Sequence, residues 1–315
     1  MEAHPPIRTV GIVGAGLVGS GWSVIFALSG LHVRIYDADA GIRAQAITLI
    51  SRSMREMADV GLADGIDEAL SRITVCDSLA SAIQEADYVQ ESVFERRDVK
   101  AEAAAQIGAL IRPGAVVGSS SSGIPASAFT ETAPLRERFL IVHPVNPPHV
   151  VPVVELVPAP WTDPALVPRV RSFMKSVGQA PVVLTREIEG FLLNRLQGAL
   201  LNEAFALLED GYASAADIDT TVSKGLGLRW CFMGPFETID LNAPGGLDDY
   251  ASRLEPLYRT VAHSRTQVRG WSLDLIERAN KERRDLLPKA ELPTRRAWRD
   301  RVLMHLVKHL RGAGL

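Results

Sequence analysis

The sequence predicts an α/β fold in which a doubly wound, mostly parallel sheet is followed by an all-helical C-terminal domain. Three observations carry this expectation. Short apolar runs alternate with helix-period stretches from residue 9 to residue 184, the rhythm of strands joined by covering helices. A glycine-rich turn closes the first apolar run. Beyond Thr185 only helical periodicity recurs, with nothing strand-like of any length. The 315 residues suit two domains, given a typical size of about 150 residues per domain. A hydrophobic fraction of 47% with 23% charged residues is enough for a sizeable core.

The elements follow in order. Residues 10–13 read as a buried strand, and Val18, Trp22, Ile25 and Phe26 then form a helical stripe that ends at Gly30. A second strand spans 32–36 and stops at Asp37. Residues 39–70 are amphipathic and helical, broken by Gly61 and Gly65. Strands are expected at 72–75, 88–93, 115–119, 139–143, 151–157 and 181–184, and helices at 78–86, 98–111 and 164–177. The helical part comprises 190–209, 213–225, 235–241, 246–263, 273–282 and 294–310. The domain boundary is placed near residue 186, giving domains of 1–186 and 187–315.

Charge and composition exclude several classes. Lys plus Arg is 34 and Asp plus Glu is 37, a net charge of −3. A nucleic-acid or membrane-surface protein normally carries a basic excess. Cys76 and Cys231 are too few for a disulfide framework and lack metal-ligand spacing. No apolar run reaches the ~18 residues of a membrane span. Residues 1–8 lack a signal-peptide core, so a soluble cytoplasmic protein is expected. The basic run of Arg295, Arg296, Arg299, Arg301, Lys308 and Arg311 reads as a solvated helix face.

Gly14-x-Gly16-x-x-Gly19 sits where a dinucleotide loop belongs, between a strand and a helix whose first residues are Leu17 and Val18. Gly14 permits the tight turn, Gly16 leaves room for a pyrophosphate, and Gly19 lets helix and strand approach. The phosphates would rest on free amides of the helix N-terminus. Asp37 follows 18 residues past Gly19. Its carboxylate there can accept both ribose hydroxyls and would repel a 2′-phosphate, which favours NAD over NADP. The first domain is therefore expected to be of the Rossmann type.

A second cluster carries the chemistry. His143 ends a strand, and Glu155 lies 12 residues on, inside the next apolar strand. A buried carboxylate is costly unless paired, and a hairpin-like return would bring it against His143. Such a dyad suits alcohol oxidation, because the hydroxyl proton must leave as the hydride does. Ser119-Ser-Ser-Ser-Gly123 follows a strand at the ligand-collecting sheet edge, and reads either as a loop or cap or as a catalytic element. Asn194 is polar within an apolar helix, either solvent-facing or lining a site.

Together these residues resemble the L-3-hydroxyacyl-CoA dehydrogenase family, and within it the λ-crystallin / L-gulonate 3-dehydrogenase branch. The segments that carry the resemblance are the glycine loop, Glu95 with Lys100, the serine run, His143-Pro-Val-Asn-Pro-Pro and Val153-Val-Glu-Leu-Val-Pro. Gly190-Phe-Leu-Leu-Asn-Arg-Leu-Gln, Gly225-Leu-Gly-Leu-Arg-Trp, Met233-Gly-Pro-Phe-Glu-Thr, Leu241-Asn and Arg295-Arg-x-Trp-Arg-Asp extend it. The likeness implies His143 as general base, Glu155 as its orienting acid, and Ser121 as the hydroxyl facing substrate, with Ser122 open by one residue. It implies Asn146 and Asn194 in the substrate pocket, and Glu95 and Lys100 beside the nicotinamide ribose and ring. It also implies a homodimer formed through the helical domain.

The expected activity is NAD-dependent oxidation of the 3-hydroxyl of a small L-3-hydroxy acid, foremost L-gulonate. Hydroxyacyl-CoA members lack an Arg before Met-Gly-Pro-Phe-Glu, whereas Arg229 stands there. It reads either as a fork for a free carboxylate or as a surface ion pair. Rivals are a true hydroxyacyl-CoA dehydrogenase, a carnitine dehydrogenase, with Trp230 as one wall of an aromatic cage, and a non-catalytic crystallin-like or NAD-sensing protein.

Overall fold

The computed structural model describes residues 6–265 and 269–314. Residues 1–5, most of the stretch read for a leader, lie outside the described residues. The chain divides into two compact units, one of Met1–Arg195 with Trp298–His309 and the other of Leu196–Ala297 with Leu310–Leu315.

The first unit is built on an eight-stranded sheet. Its strands are β1 (Thr9–Val13), β2 (His32–Tyr36), β3 (Ile73–Val75), β4 (Tyr88–Glu91), β5 (Val116–Ser119), β6 (Phe139–Pro144), β7 (Val153–Pro158) and β8 (Ala180–Val183). The spatial order is β3-β2-β1-β4-β5-β6-β7-β8. β1 to β6 pair in parallel, β7 runs antiparallel to β6, and β8 is parallel to β7. The order reverses at β1, which lies between β2 and β4. In open α/β sheets the crevice outside that reversal, at the carboxyl ends of the strands, collects ligands.

Alternation along the strands feeds two cores. Val10, Ile12, Tyr88, Val116, Leu140 and Val142 enter one, while Val13, Val89, Val117, Phe139 and Ile141 enter the other. The period of two is what sends them to opposite faces. An aromatic stack fills the first, with ring centroids of Trp22–Phe26, Phe26–Phe173 and Tyr88–Phe173 at 5.3, 5.6 and 5.0 Å. The helices Leu17–Leu28 and Leu166–Ser176 supply Trp22, Phe26 and Phe173 over the sheet, and β4 supplies Tyr88.

The helical unit contains Ala215–Thr220, Gly227–Trp230, Pro235–Leu241, Gly246–His263 and Leu273–Leu286, with most of Leu193–Glu209. A π-helical turn, Thr221–Leu226, interrupts the helix expected over 213–225. Apolar periodicity does not reveal such a turn, which shifts register by a single backbone bond. Among the described residues of this unit only Ala206, Leu208, Thr238 and Leu275 are buried.

The expected division differs at the C-terminus. The helix Leu292–Gly312 forms as read, but its stretch Trp298–His309 belongs to the first unit. Met304 is buried there in the same core as Met54, Met57 and Ala69, and Leu303 and Val307 pack against it. Three apolar side chains within two turns decide the packing, while the arginines that dominate the composition stay exposed.

Candidate active site

The glycine loop is shaped by backbone constraints. Gly14 has φ +97°, and a side chain there would stand 2.5 Å from the Ser92 carbonyl oxygen. At Gly19 an added Cβ would fall 1.8 Å from the Gly14 carbonyl oxygen. At Gly16 the space beyond is open, leaving the helix N-terminus bare to an approaching phosphate. No side chain caps this helix, and Leu17 is 81% exposed at its start. Asp37 ends the next strand and half-faces the loop. Its carboxylate accepts from the Ala15 amide at 2.8 Å and the Asp39 amide at 2.9 Å, one on each oxygen. The remaining lone pairs suit a ribose diol. These residues fit a dinucleotide without a 2′-phosphate.

His143 and Glu155 face each other directly across the antiparallel β6–β7 pair. His143 Nδ1 lies 2.8 Å from Glu155 Oε2, and both residues are buried. The other carboxylate oxygen accepts the amides of Leu192 and Leu193 at 2.7 and 3.0 Å, the start of the helix Leu193–Glu209, where a negative charge is favoured. Burial pushes the Glu155 carboxyl up, but the bonds from His143, Leu193 and Leu192 outweigh it and hold it below the usual range. An ionised carboxylate can only accept, so Nδ1 carries the hydrogen, and in the neutral imidazole the lone pair is then on Nε2.

The segment Gly190-Phe-Leu-Leu-Asn builds this arrangement. Gly190 and Phe191 are both left-handed, with φ +74° and +50°. For a phenylalanine that conformation costs about 1–3 kcal/mol. In return its fully buried ring lies 5.7 Å from the imidazole of His143. The turn delivers the two amides to Glu155 and sends Asn194 Nδ2 to the Ser122 carbonyl at 2.6 Å. Asn194 is exposed and sits on the site side, not on an unrelated helix face.

The serine run is sorted residue by residue. Ser119 donates to Glu91 at 2.5 Å. Ser120 accepts from Trp22 Nε1 and Gln90 Nε2 at 3.2 and 2.7 Å. Ser121 is fully buried; its hydroxyl lies 2.7 Å from Glu95 and 2.8 Å from the Ile124 carbonyl. Ser122 alone is exposed. Ser121, the hydroxyl expected to face the substrate, lies at the closure of the loop, and Ser122, the alternative one position on, turns outward. Glu95 accepts, on one oxygen, the amides of Ser122, Gly123 and Ile124. Burial raises its carboxyl, but the bond from Ser121, the charge of Lys100 and the loop amides bring it below the usual value.

Lys100 is 1% exposed, with Nζ 3.1 Å from Glu91 and 3.4 Å from Glu95. An ammonium so enclosed is paired with carboxylates. Asn146 is exposed in the loop after β6. In the helical unit Arg229 is exposed, just past the π-helical turn, and its charge reaches Tyr250. The Tyr250 and Tyr258 hydroxyls are 2.8 Å apart, with rings stacked at 6.5 Å. Sequence reasoning missed Glu91, Gln90, Trp22 and Phe191. A carboxylate closing the apolar strand Tyr88–Glu91 was the signal, the same one that drew attention to Glu155.

The lowered Glu155 carboxyl makes stability pH-dependent. A group whose folded pKa is depressed contributes stability that is complete above its unfolded value and lost as pH falls through the folded one. Thermal melts followed by circular dichroism should show a flat Tm down to about pH 4.3, then a steep fall. Glu155→Gln should lower Tm at neutral pH and flatten that acid limb. Equal acid slopes in the two proteins would contradict this account.

The comparisons agree with this geometry. A model of the 3-hydroxyacyl-CoA dehydrogenase NAD-binding domain matches residues 9–188, and one of the family's C-terminal domain matches residues 190–278. Rabbit (Oryctolagus cuniculus) lambda-crystallin is 38% identical over 312 residues, covering 97% of each chain. An L-carnitine dehydrogenase of Streptomyces coelicolor is 36% identical over 81% of this chain and 80% of its own. The solved structure of 5-formyl-3-hydroxy-2-methylpyridine 4-carboxylic acid 5-dehydrogenase, described as an NAD+ dependent dismutase, superposes with a TM-score of 0.78. It is 27% identical, with 98% of this chain and 99% of that one covered. With a glycine loop and Asp37 suited to NAD on the same sheet edge as a His–Glu pair, the chain belongs to the 3-hydroxyacyl-CoA dehydrogenase family of NAD-dependent oxidoreductases.

Proposed function

We propose that this protein oxidises the 3-hydroxyl of a small L-3-hydroxy acid, foremost L-gulonate to 3-dehydro-L-gulonate. The observation that carries the reading is the His143–Glu155 pair, with Nδ1 held at 2.8 Å and Nε2 free. Bound NAD supplies the hydride acceptor, held by Gly14, Gly16, Leu17, Val18, Gly19 and Asp37, with Glu95 at the nicotinamide end. His143 Nε2 takes the hydroxyl proton as the carbinol hydrogen departs with its electron pair and the carbonyl forms. Glu155 stabilises the imidazolium that results. Ser121, with Ser122 as the neighbouring alternative, and Asn194 hold the substrate oxygen, and Asn146 lines the same pocket. Lys100, paired with Glu95, belongs to the same nicotinamide end.

For the substrate, Arg229 offers a free carboxylate a bidentate fork. The likeness to lambda-crystallin along 97% of the chain supports a free sugar acid over a thioester. A second reading, oxidation of carnitine, has its own support: the stacked pair Tyr250 and Tyr258 beside Arg229 adds aromatic faces to Trp230, and such faces attract a quaternary ammonium. An intact set of Ser121, His143, Glu155 and Asn194 speaks against a purely structural protein. Exposed Leu196, Phe236, Leu257 and Val261 on the helical unit support a homodimer formed through it. The expected setting is the cytoplasm.

A screen for NADH formation with L-gulonate, L-3-hydroxybutyrate, carnitine and 3-hydroxybutyryl-CoA tests the reading. The highest kcat/KM is expected for L-gulonate. Arg229→Met should raise its KM about tenfold or more, and an unchanged KM would remove the carboxylate role. His143→Asn should lower kcat about a thousandfold with NADH affinity retained in a fluorescence titration; an active variant would sink the mechanism. Asp37→Ala should weaken NAD and narrow its preference over NADP by at least about tenfold. Steady-state kinetics with both cofactors measures this, and an unaltered ratio would count against Asp37.

A further inference from the structure

A chain of hydrogen-bonded side chains runs from the core to the crevice between the glycine loop and the serine run. Tyr88, Gln90 and Trp22 are fully buried and Ser120 is buried, while Ser92, the residue after β4, is half-buried. The Tyr88 hydroxyl lies against Gln90 Oε1. Gln90 Nε2 donates to Ser120 Oγ at 2.7 Å and to the Val142 carbonyl at 3.3 Å. Trp22 Nε1 donates to Ser120 Oγ at 3.2 Å, and Ser120 Oγ lies 2.9 Å from Ser92 Oγ.

The chemistry of these groups dictates where each hydrogen points. A carbonyl oxygen only accepts, so Gln90 must turn its amide nitrogen to Val142 and its oxygen to Tyr88. An indole N–H only donates. Ser120 therefore accepts from both Trp22 and Gln90, which occupies both lone pairs of its hydroxyl oxygen. What remains is its hydrogen, and Ser92 Oγ is the atom in reach to accept it. Ser92 is thus an acceptor within the chain and keeps its own hydrogen for another group. Among the described residues no acceptor takes that hydrogen.

The place of Ser92 in the sheet says what can. β1 lies between β2 and β4. Asp37 follows β2 and Ser92 follows β4, so the two residues flank the glycine loop on opposite sides. The Ser92 amide donates to the Val13 carbonyl at 2.7 Å, and its own carbonyl oxygen would stand 2.5 Å from a side chain at Gly14. A dinucleotide laid across this reversal has its adenosine ribose at Asp37 and its pyrophosphate on the helix N-terminus. The half beyond the pyrophosphate then passes over β4, toward Ser92 and the serine run. That half offers a hydroxyl donor two kinds of oxygen, the ribose hydroxyls and the carboxamide carbonyl.

We propose that the Ser92 hydroxyl donates a hydrogen bond to the nicotinamide nucleoside half of bound NAD, its direction set by Trp22, Gln90 and Ser120. Ser92 is a binding residue and supplies no proton to the reaction. The proposal rests on NAD as the cofactor and not on which hydroxy acid is oxidised.

Calorimetric titration of the parent and of Ser92→Ala with ADP, ADP-ribose and NADH tests it. The NADH Kd should rise about three- to tenfold in the variant, the ordinary worth of one hydrogen bond. The Kd of ADP, which ends at the pyrophosphate, should stay within about 1.5-fold of the parent. ADP-ribose identifies the acceptor: a Kd that rises with that of NADH assigns a ribose hydroxyl, an unchanged one assigns the carboxamide, and both support the proposal. An unchanged NADH Kd would overturn it. So would an ADP Kd that rises as much as that of NADH, because the variant would then have loosened the glycine loop as a whole. Should Ser92→Ala fail to fold, Ser92→Cys decides, since a thiol can still accept from Ser120 but is a weak donor. A loss confined to ligands beyond the pyrophosphate supports the proposal, and a parental NADH Kd overturns it. The titrations need no turnover, so a parent inactive on all four hydroxy compounds would sink the substrate reading without touching this result.

Discussion

A negative charge buried at the end of a strand must be met by donors, and the site is organised around that demand. Glu155 is the clearest case. Its position in β7 is fixed by valines and leucines that want the core, so its carboxylate is dragged inside with them. It survives there because three donors converge on it: the His143 ring and the amides of Leu192 and Leu193. The antiparallel turn of β7 against β6 makes this possible. In a parallel continuation of the sheet the partner of His143 would have come from a distant crossover. The reversed strand instead sets Glu155 opposite His143 by register alone.

The same demand explains residues that look redundant in sequence. Four consecutive serines offer four identical hydroxyls, yet they end in four environments. Ser119 answers Glu91, Ser120 answers Trp22 and Gln90, Ser121 closes the Glu95 loop, and Ser122 faces outward. Strand geometry alternates side chains only while the strand lasts, and β5 ends at Ser119. After that point the direction of each hydroxyl is set by which buried acceptor it can reach. Strain enters by the same logic: left-handed Phe191 is tolerated because its ring seals the dyad and its neighbours' amides neutralise Glu155.

Much of this was legible before any coordinates. The alternation of strands and helices, the glycine turn and the acidic residue 18 positions on are local signals, and local signals survive into the fold. The pairing of His143 with Glu155 was readable because one physical rule, the cost of an unpaired buried carboxylate, applied to a twelve-residue span. What could not be read depends on contacts between distant segments. Which serine faces outward depends on Glu95, in another loop. The burial of Lys100 depends on Glu91, nine residues earlier and on a different element. The C-terminal arginines suggested a solvated helix, and they are solvated, but Met304 and its two apolar neighbours decide where that helix packs. The π-helical turn before Arg229 is set by backbone bonding that no hydropathy pattern encodes.

Every hydrogen bond described here for His143, Glu155, Ser122, Asn194, Glu91, Lys100 and Glu95 is made by residues of the stretch Met1–Arg195. The His143–Glu155 pair and its scaffold are therefore closed upon themselves. Arg229, Trp230, Tyr250 and Tyr258 belong to the other unit, where few side chains are buried and substitutions meet little packing resistance. Side chains there can change without disturbing the buried charges of the first unit.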